Sequence, residues 1–251
     1  MCTDAGSGRA RRLASRLGGQ AAPDNATLAD SVRFVVLCHP RGQLERVAAE
    51  IDGRAQCVVS VISGTPLSEL RAVYPNTPVA RVAVSVLAEV RNSPIWYAGG
   101  LAEIPAVEAD VLEQFALLGS VQSLDERLVP AVIGLSGVGP AYFSLIVEAE
   151  VDAAVRLGLS AEVATEALLA TMSGTAELLR KPGYDTLGLR RSVAAPGGPT
   201  SAGLAVLERA GLRAAFHDAL DAVVEASRAA RKDWTSKSEP YRLPRTRPGG
   251  F

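Results

Sequence analysis

The stretch Ala195-Pro196-Gly197-Gly198-Pro199-Thr200 is the part of the chain best suited to holding a small anion. Two glycines let backbone N–H groups approach a ligand closely, and the helical pattern that follows presents a positive N-terminal end. Thr200 adds a hydroxyl. Read alone, such a stretch is more often a helix–helix connection. A second glycine-rich turn, Ser136-Gly137-Val138-Gly139-Pro140, also opens a helix and reads mainly as structural. His39 follows an apolar run, so it sits at the carboxyl end of a strand, where open α/β folds bind ligands. An imidazole there is mostly neutral at pH 7. Glu148 is expected in the buried middle of a helix as a hydrogen-bonding group, and His217 on an exposed helical face. Gly6-Ser7-Gly8 lacks the third glycine of a dinucleotide fingerprint. Ser136 has no His and Asp partners at a spacing that supports a hydrolase triad.

The elements that must position these residues fall into two halves. Apolar runs at 33–38, 57–62 and 79–86 read as strands, the first of them buried on both faces, with a possible fourth at 94–98. Helical patterns at 8–18, 44–51 and 106–118 alternate with them, so βαβ units and a mainly parallel sheet are expected. After about residue 105 the strand pattern stops. Long helices are expected at 139–158, 160–181, 199–210 and 212–232, with Ser160 an N-cap and Pro199 in a first turn. Their apolar faces are wide enough that part of that surface must meet another chain. The expected organisation is a truncated Rossmann-like α/β domain over 1–124, an all-α helical dimerisation and substrate domain over 125–235, and a flexible Pro-, Arg- and Gly-rich tail over 236–251.

Composition narrows the partners. A net charge of −1 gives no electrostatic footprint for nucleic acid or an anionic membrane. No stretch reads as the ~20 apolar residues needed to span a bilayer. The first residues, with Arg9 to Arg12 close behind, carry no apolar signal core. Cys2, Cys38 and Cys57 form no CxxC and are odd in number, so neither a disulfide framework nor structural zinc is expected. Cys38 and Cys57 lie in apolar runs and are expected as buried thiols. A reducing, cytoplasmic setting follows.

Two segments go beyond pattern. Leu135-Ser136-Gly137-Val138-Gly139-Pro140-Ala141-Tyr142 is followed by Glu148 and Asp152-Ala153-Ala154. Ala195-Pro196-Gly197-Gly198-Pro199-Thr200 is followed by Gly203-Leu204-Ala205-Val206-Leu207-Glu208 and Gly211. In this order and separation they resemble the helical domain of the pyrroline-5-carboxylate reductase family, with its SGSGPAY-type and SPGGTT-type segments. Leu37-Cys38-His39-Pro40 and Ser60-Val61-Ile62-Ser63-Gly64 are looser echoes of two upstream strand ends. The resemblance spans roughly residues 1–232.

The resemblance implies NADPH- or NADH-dependent reduction of the C=N bond of a cyclic imino acid by a homodimer or a ring of dimers. It places Ala195, Gly197, Gly198, Pro199 and Thr200 around the substrate carboxylate. Thr200 is the catalytic candidate, its hydroxyl aimed at that carboxylate or toward the imine nitrogen. His39, Pro40, Ser63 and Gly64 fall on the cofactor side. The departures are specific. Ala195 stands where the family has serine, Pro199 replaces a threonine and removes a backbone donor, and His39 stands where lysine is usual. Pro75-Asn76-Thr77-Pro78 spells a family motif out of register, and Val84-Ser85-Val86-Leu87 at the expected place reads as apolar strand. The chain also starts at what would be the family's second strand, near Met1-Cys2-Thr3-Asp4. The preceding strand and its phosphate-binding turn would then be supplied by another segment or by codons upstream. Asp4 could contact a ribose hydroxyl. Two competing expectations stand beside it: a cofactor-free cyclase or isomerase, to which that feature and His39 both point, and a non-catalytic partner that pairs with an intact reductase through the helical domain.

Overall fold

The computed structural model describes residues 1–233, and the segment expected as a tail lies outside them. The described residues divide into two compact units, one of residues 1–133 together with 224–233, the other of residues 134–223.

The first unit runs α1 (Arg9–Leu17), α2 (Asn25–Asp30), β1 (Phe34–Leu37), α3 (Leu44–Ile51), β2 (Cys57–Ser60), α4 (Leu67–Val73), β3 (Val79–Ala83), β4 (Ser93–Ala98), α5 (Pro105–Ala116), β5 (Gly119–Ser123) and α6 (Val129–Val132). The five strands form one sheet in order β1-β2-β3-β4-β5. β2 is buried at every residue because it is covered on both faces. Its period-two alternation sends Val58 into one apolar cluster, with Leu37, Ile51 and Leu70. Cys57 and Val59 enter the other, with Ile95, Val111 and Phe115.

The sheet is mainly parallel, as expected, with one reversal: β1–β2, β2–β3 and β4–β5 run parallel and β3–β4 antiparallel. The cause lies in residues 84–92. They are too few for a crossover, which takes a dozen or more residues, so the chain turns back on itself. The expected strand through Val86 is therefore cut short at Ala83. Ser85 caps a 3-10 turn at Val86–Val90 by accepting from Leu87 N–H at 3.2 Å. The early Pro75–Pro78 motif is a structural tie. Asn76 Nδ2 and Thr77 Oγ1 both donate to the Asp52 carboxylate, at 2.8 Å each, at the end of α3.

Three further expectations are corrected. A strand does follow residue 105: β5 pairs with β4 from Ser93↔Gly119 to Tyr97↔Ser123. Gly119 makes this possible with φ +147°, since a Cβ there would lie 2.6 Å from Ser93 N and closer still to Ser93 O. β1 is not buried on both faces. It pairs only with β2 among the described residues, and Val36 is 38% exposed. Cys57 is fully buried, which pushes its thiol up to about 11, but Cys38 at the end of β1 is exposed.

The second unit contains α7 (Gly139–Arg156), α8 (Ala161–Arg180), α9 (Thr186–Val193), α10 (Pro199–Arg209) and most of α11 (Leu212–Asp233). Ser160 caps α8 through Val163 N–H at 3.2 Å, and Asp185 caps α9 through Gly188 N–H at 2.6 Å. α7 packs on α8. Tyr142 donates its hydroxyl to Ala219 O at 3.4 Å. A Cβ at Gly134 would meet Leu220 Cδ1 at 2.5 Å, so the Leu220 side chain lies close over this glycine. Between 134 and 223 only Gly134, Gly139 and Ala164 are buried, while Phe143 and Leu145 are 57% and 64% exposed. Glu148, expected in a buried position, is exposed in the single chain.

One helical run, Glu126–Arg156, is long and apolar enough by length and composition to cross a membrane, contrary to the expectation that no stretch would be. The run is not a uniform α-helix. Pro130 lies in α6, and Ile133–Gly137 form a π-helical turn before Gly139-Pro140 restarts α7.

Candidate functional site

In the α/β unit, β1 and β2 are parallel neighbours, so the loops after them leave the same end of the sheet. The first loop holds His39 and Pro40, the second Ser63 and Gly64. Arg41 fastens the first to α4, its Nε donating to Glu69 Oε1 at 3.0 Å. The His39 ring is 2.9 Å from Pro40 O through Nδ1, which sets Nδ1 as the protonated nitrogen and leaves a lone pair on Nε2. That Nε2 is buried without a partner. Burial lowers the His39 pKa, the contact with Pro40 O opposes this, and nearby Arg46 lowers it further. In the second loop Gly64 adopts φ +74°. Thr65 is fully buried, and its Oγ1 also lacks a partner. Two orphaned buried polar atoms, one in each loop, are what a polar ligand crossing this end of the sheet would satisfy.

Sequence reasoning missed the residues that hold the second loop. Leu67 N–H donates to Glu126 Oε1 at 2.5 Å, and Glu126 in turn pairs with buried Arg81 of β3 at 3.5 Å. The only sequence signal was a charged residue inside the strand pattern Val79–Ala83.

In the helical unit, Ala195–Gly198 form the turn before α10. Gly197 has φ +73°, Gly198 is the N-cap without a side-chain cap, and Pro199 is the first helical residue. Gly198 N–H is spent inside the turn on Ala195 O at 3.0 Å. Ser201 Oγ donates to the same oxygen at 2.7 Å, and Ala202 N–H to Gly198 O at 3.1 Å. Proline has no N–H. The first-turn donors left open are therefore the N–H groups of Thr200 and Ser201, beside the Thr200 hydroxyl. Thr200 is exposed in the single chain. The arrangement suits one carboxylate, held from one side.

Residues 126–230 match the family described as "Pyrroline-5-carboxylate reductase dimerisation". The pyrroline-5-carboxylate reductase of Synechocystis sp. is 34% identical over 214 residues, covering 82% of this chain and 78% of that protein. The chain belongs to the pyrroline-5-carboxylate reductase family. The solved reductase of Streptococcus pyogenes superposes with a TM-score of 0.82 at 25% identity, covering 90% of this chain and 88% of that one. The Plasmodium falciparum pyrroline carboxylate reductase, solved with NADP bound, has a TM-score of 0.77 at 23% identity, covering 84% of this chain and 82% of that one, and shares the fold.

Membership in the pyrroline-5-carboxylate reductase family gives the exposed helical apolar surface its occupant, a second copy of the chain. The segment matched as a dimerisation domain contains Phe143, Leu145, Leu169 and Phe216, all exposed in the single chain. The double variant Leu145→Glu/Leu169→Glu should be monomeric at micromolar concentration by light scattering. Each leucine withdrawn from water contributes about 1.5–3 kcal/mol, and a charge in its place adds a desolvation cost. A stable dimer of the variant would place the interface elsewhere.

Proposed function

We propose that the chain is an NADPH- or NADH-dependent oxidoreductase that reduces the C=N bond of a cyclic imino acid, working as a homodimer or a ring of dimers in the cytoplasm. The observation that carries this reading is the turn before α10, where the Thr200 and Ser201 N–H groups are left open at a helix N-terminus beside the hydroxyl of exposed Thr200. Among the candidates Ala195, Gly197, Gly198, Pro199 and Thr200, the direct contacts fall to Thr200, while Gly197, Gly198 and Pro199 shape the turn. The Thr200 hydroxyl donates to the substrate carboxylate or to the imine nitrogen. On the sheet side, His39, Pro40, Ser63 and Gly64 border the cofactor, and the orphaned His39 Nε2 accepts from one of its hydroxyl or amide donors. The cofactor supplies the hydride when bound. Three free cysteines among the described residues support the cytoplasmic placement.

Calorimetric titration with NADPH and NADH, followed by turnover of cyclic imino acids, tests the reading. Saturable micromolar binding and imine-dependent cofactor oxidation are expected. A folded dimer that binds neither cofactor would overturn it.

His39→Gln should weaken cofactor binding about two- to tenfold, the worth of one hydrogen bond. The same variant has a pH signature. Because the folded His39 pKa lies below its ordinary 6.5, the unfolded chain takes up the proton first as pH falls. The wild type therefore keeps this contribution to stability above pH 6.5 and loses it as pH falls below. The melting temperature of His39→Gln should fall less over that range, and identical pH profiles would show that His39 is freely solvated.

A further inference from the structure

Resting on the reading that a nicotinamide dinucleotide crosses this end of the sheet, we propose that Arg41 and Glu69 are positioning residues that set the gap between the two loops bordering it. The first loop is tied into the 3-10 turn Arg41–Gln43. Pro40 O accepts from Gln43 N–H at 3.0 Å and lies 2.9 Å from His39 Nδ1, so His39 and Arg41 belong to one small hydrogen-bonded unit. The second loop, Ser63 to Pro66, runs straight into α4, where Glu69 N–H and Leu70 N–H both donate to Pro66 O at 3.1 Å. Arg41 and Glu69, 28 positions apart, therefore bridge one loop to the root of the other.

The form of the bridge makes it a spacer. Arg41 Nε donates to Glu69 Oε1 at 3.0 Å and Nη2 donates to Oε2, a fork-to-fork pair that fixes direction as well as distance. The two side chains are 16% and 31% exposed, against 47% and 55% for the pair of Arg54 and Asp30. Water therefore screens the bridge less than an ordinary surface pair. The α4 end is itself anchored: Leu67 N–H is held by Glu126 Oε1 at 2.5 Å, and Glu126 pairs with Arg81 of β3. His39 Nε2 and Thr65 Oγ1, the orphaned atoms of the two loops, are thus held in a set relation before a ligand arrives.

Arg41 stands two residues from His39, yet its fork is turned to a carboxylate, so it acts through Glu69. An arginine that contacted cofactor phosphates directly would behave in the opposite way. Removing Glu69 would then free its charge for the ligand and strengthen binding.

The test is a double-mutant cycle on cofactor binding, measured by calorimetry on the full chain, with steady-state kinetics beside it. Arg41→Ala and Glu69→Ala should each weaken NADPH and NADH binding about tenfold, because the loops must then be ordered as the cofactor binds. The double variant should match either single within about twofold, since the same bridge is lost in all three. Arg41→Lys keeps the charge without the fork and should recover part of the loss. Cofactor KM should rise while kcat at saturation stays within about twofold, whereas a fold lesion lowers kcat through the active fraction. Arg54→Ala, which removes the exposed pair with Asp30, should change binding by less than about twofold. If circular dichroism shows Arg41→Ala unfolded, Glu69→Gln carries the comparison, with weaker binding expected. Losses that multiply in the double variant, tighter binding in Glu69→Ala, an equal loss in Arg54→Ala, or unchanged binding in Arg41→Ala or its Glu69→Gln substitute overturns the inference alone. Failure of the wild type to bind either cofactor overturns it together with the reading it rests on.

Discussion

Alanine at position 119 should destabilise the α/β unit by about 3 kcal/mol or more, enough to remove much of the stability of an ordinary domain. Two effects add. The backbone at φ +147° is one that an L side chain rarely adopts, and the new Cβ would press into the Ser93 backbone at the first pair of the β4–β5 ladder. Neither a rotamer change nor a flexible neighbour can relieve a clash with main chain. Urea unfolding followed by circular dichroism measures the cost. Gly100→Ala is the control, because nothing lies within 4 Å of its added Cβ, and it should stay within about 0.5 kcal/mol of wild type. If Gly119→Ala unfolds at the wild-type midpoint, β5 does not begin against Ser93.

Thr200→Ala should lower kcat/KM for the imine substrate about 10- to 100-fold. A hydrogen bond to a charged group contributes about 1.5–3 kcal/mol, and each 1.4 kcal/mol is a factor of ten. Thr200→Ser should recover most of the loss. Ser201→Ala separates contact from scaffolding. Its hydroxyl faces Ala195 O, so its removal should loosen the turn and change KM modestly without the loss seen at Thr200. Equal losses at both positions would make the turn a scaffold and move the chemistry elsewhere. The split between kcat and KM adds detail: a bond to the carboxylate acts mainly on KM, one to the developing amine on kcat.

The features legible in the sequence are those whose cause is local. The apolar run at Cys57–Ser60, the Ser160 cap and the proline opening α10 each need only a few neighbouring residues, and all three stand where expected. The missed features depend on distant partners. Gly119-Ser120-Val121-Gln122-Ser123 has no apolar run and is a strand because β4 offers it a ladder. The reversal between β3 and β4 hinges on the length of residues 84–92, which an expected strand through Val86 disguised. Arg81 and Glu126 are 45 positions apart, so no spacing rule could pair them. In the turn before α10 the residue types were readable, but which N–H groups remain open was not. Gly198 spends its donor on Ala195 O, and that follows from the direction of the backbone.

The near-absence of buried side chains between residues 134 and 223 sets a rule for how the protein comes to exist. Most domains close their core in cis, so folding is first order and indifferent to dilution. Here α7 and α8 pack on each other but leave much of their apolar surface, and that of α10, open to a second molecule, which makes completion of the helical half a second-order event. Its melting temperature should climb with protein concentration by mass action, while the sheet half, with a core of its own, should not follow. A newly made chain would carry an unfinished surface until it meets its twin, and the rate of that meeting, set by expression level, would govern how much of it escapes aggregation.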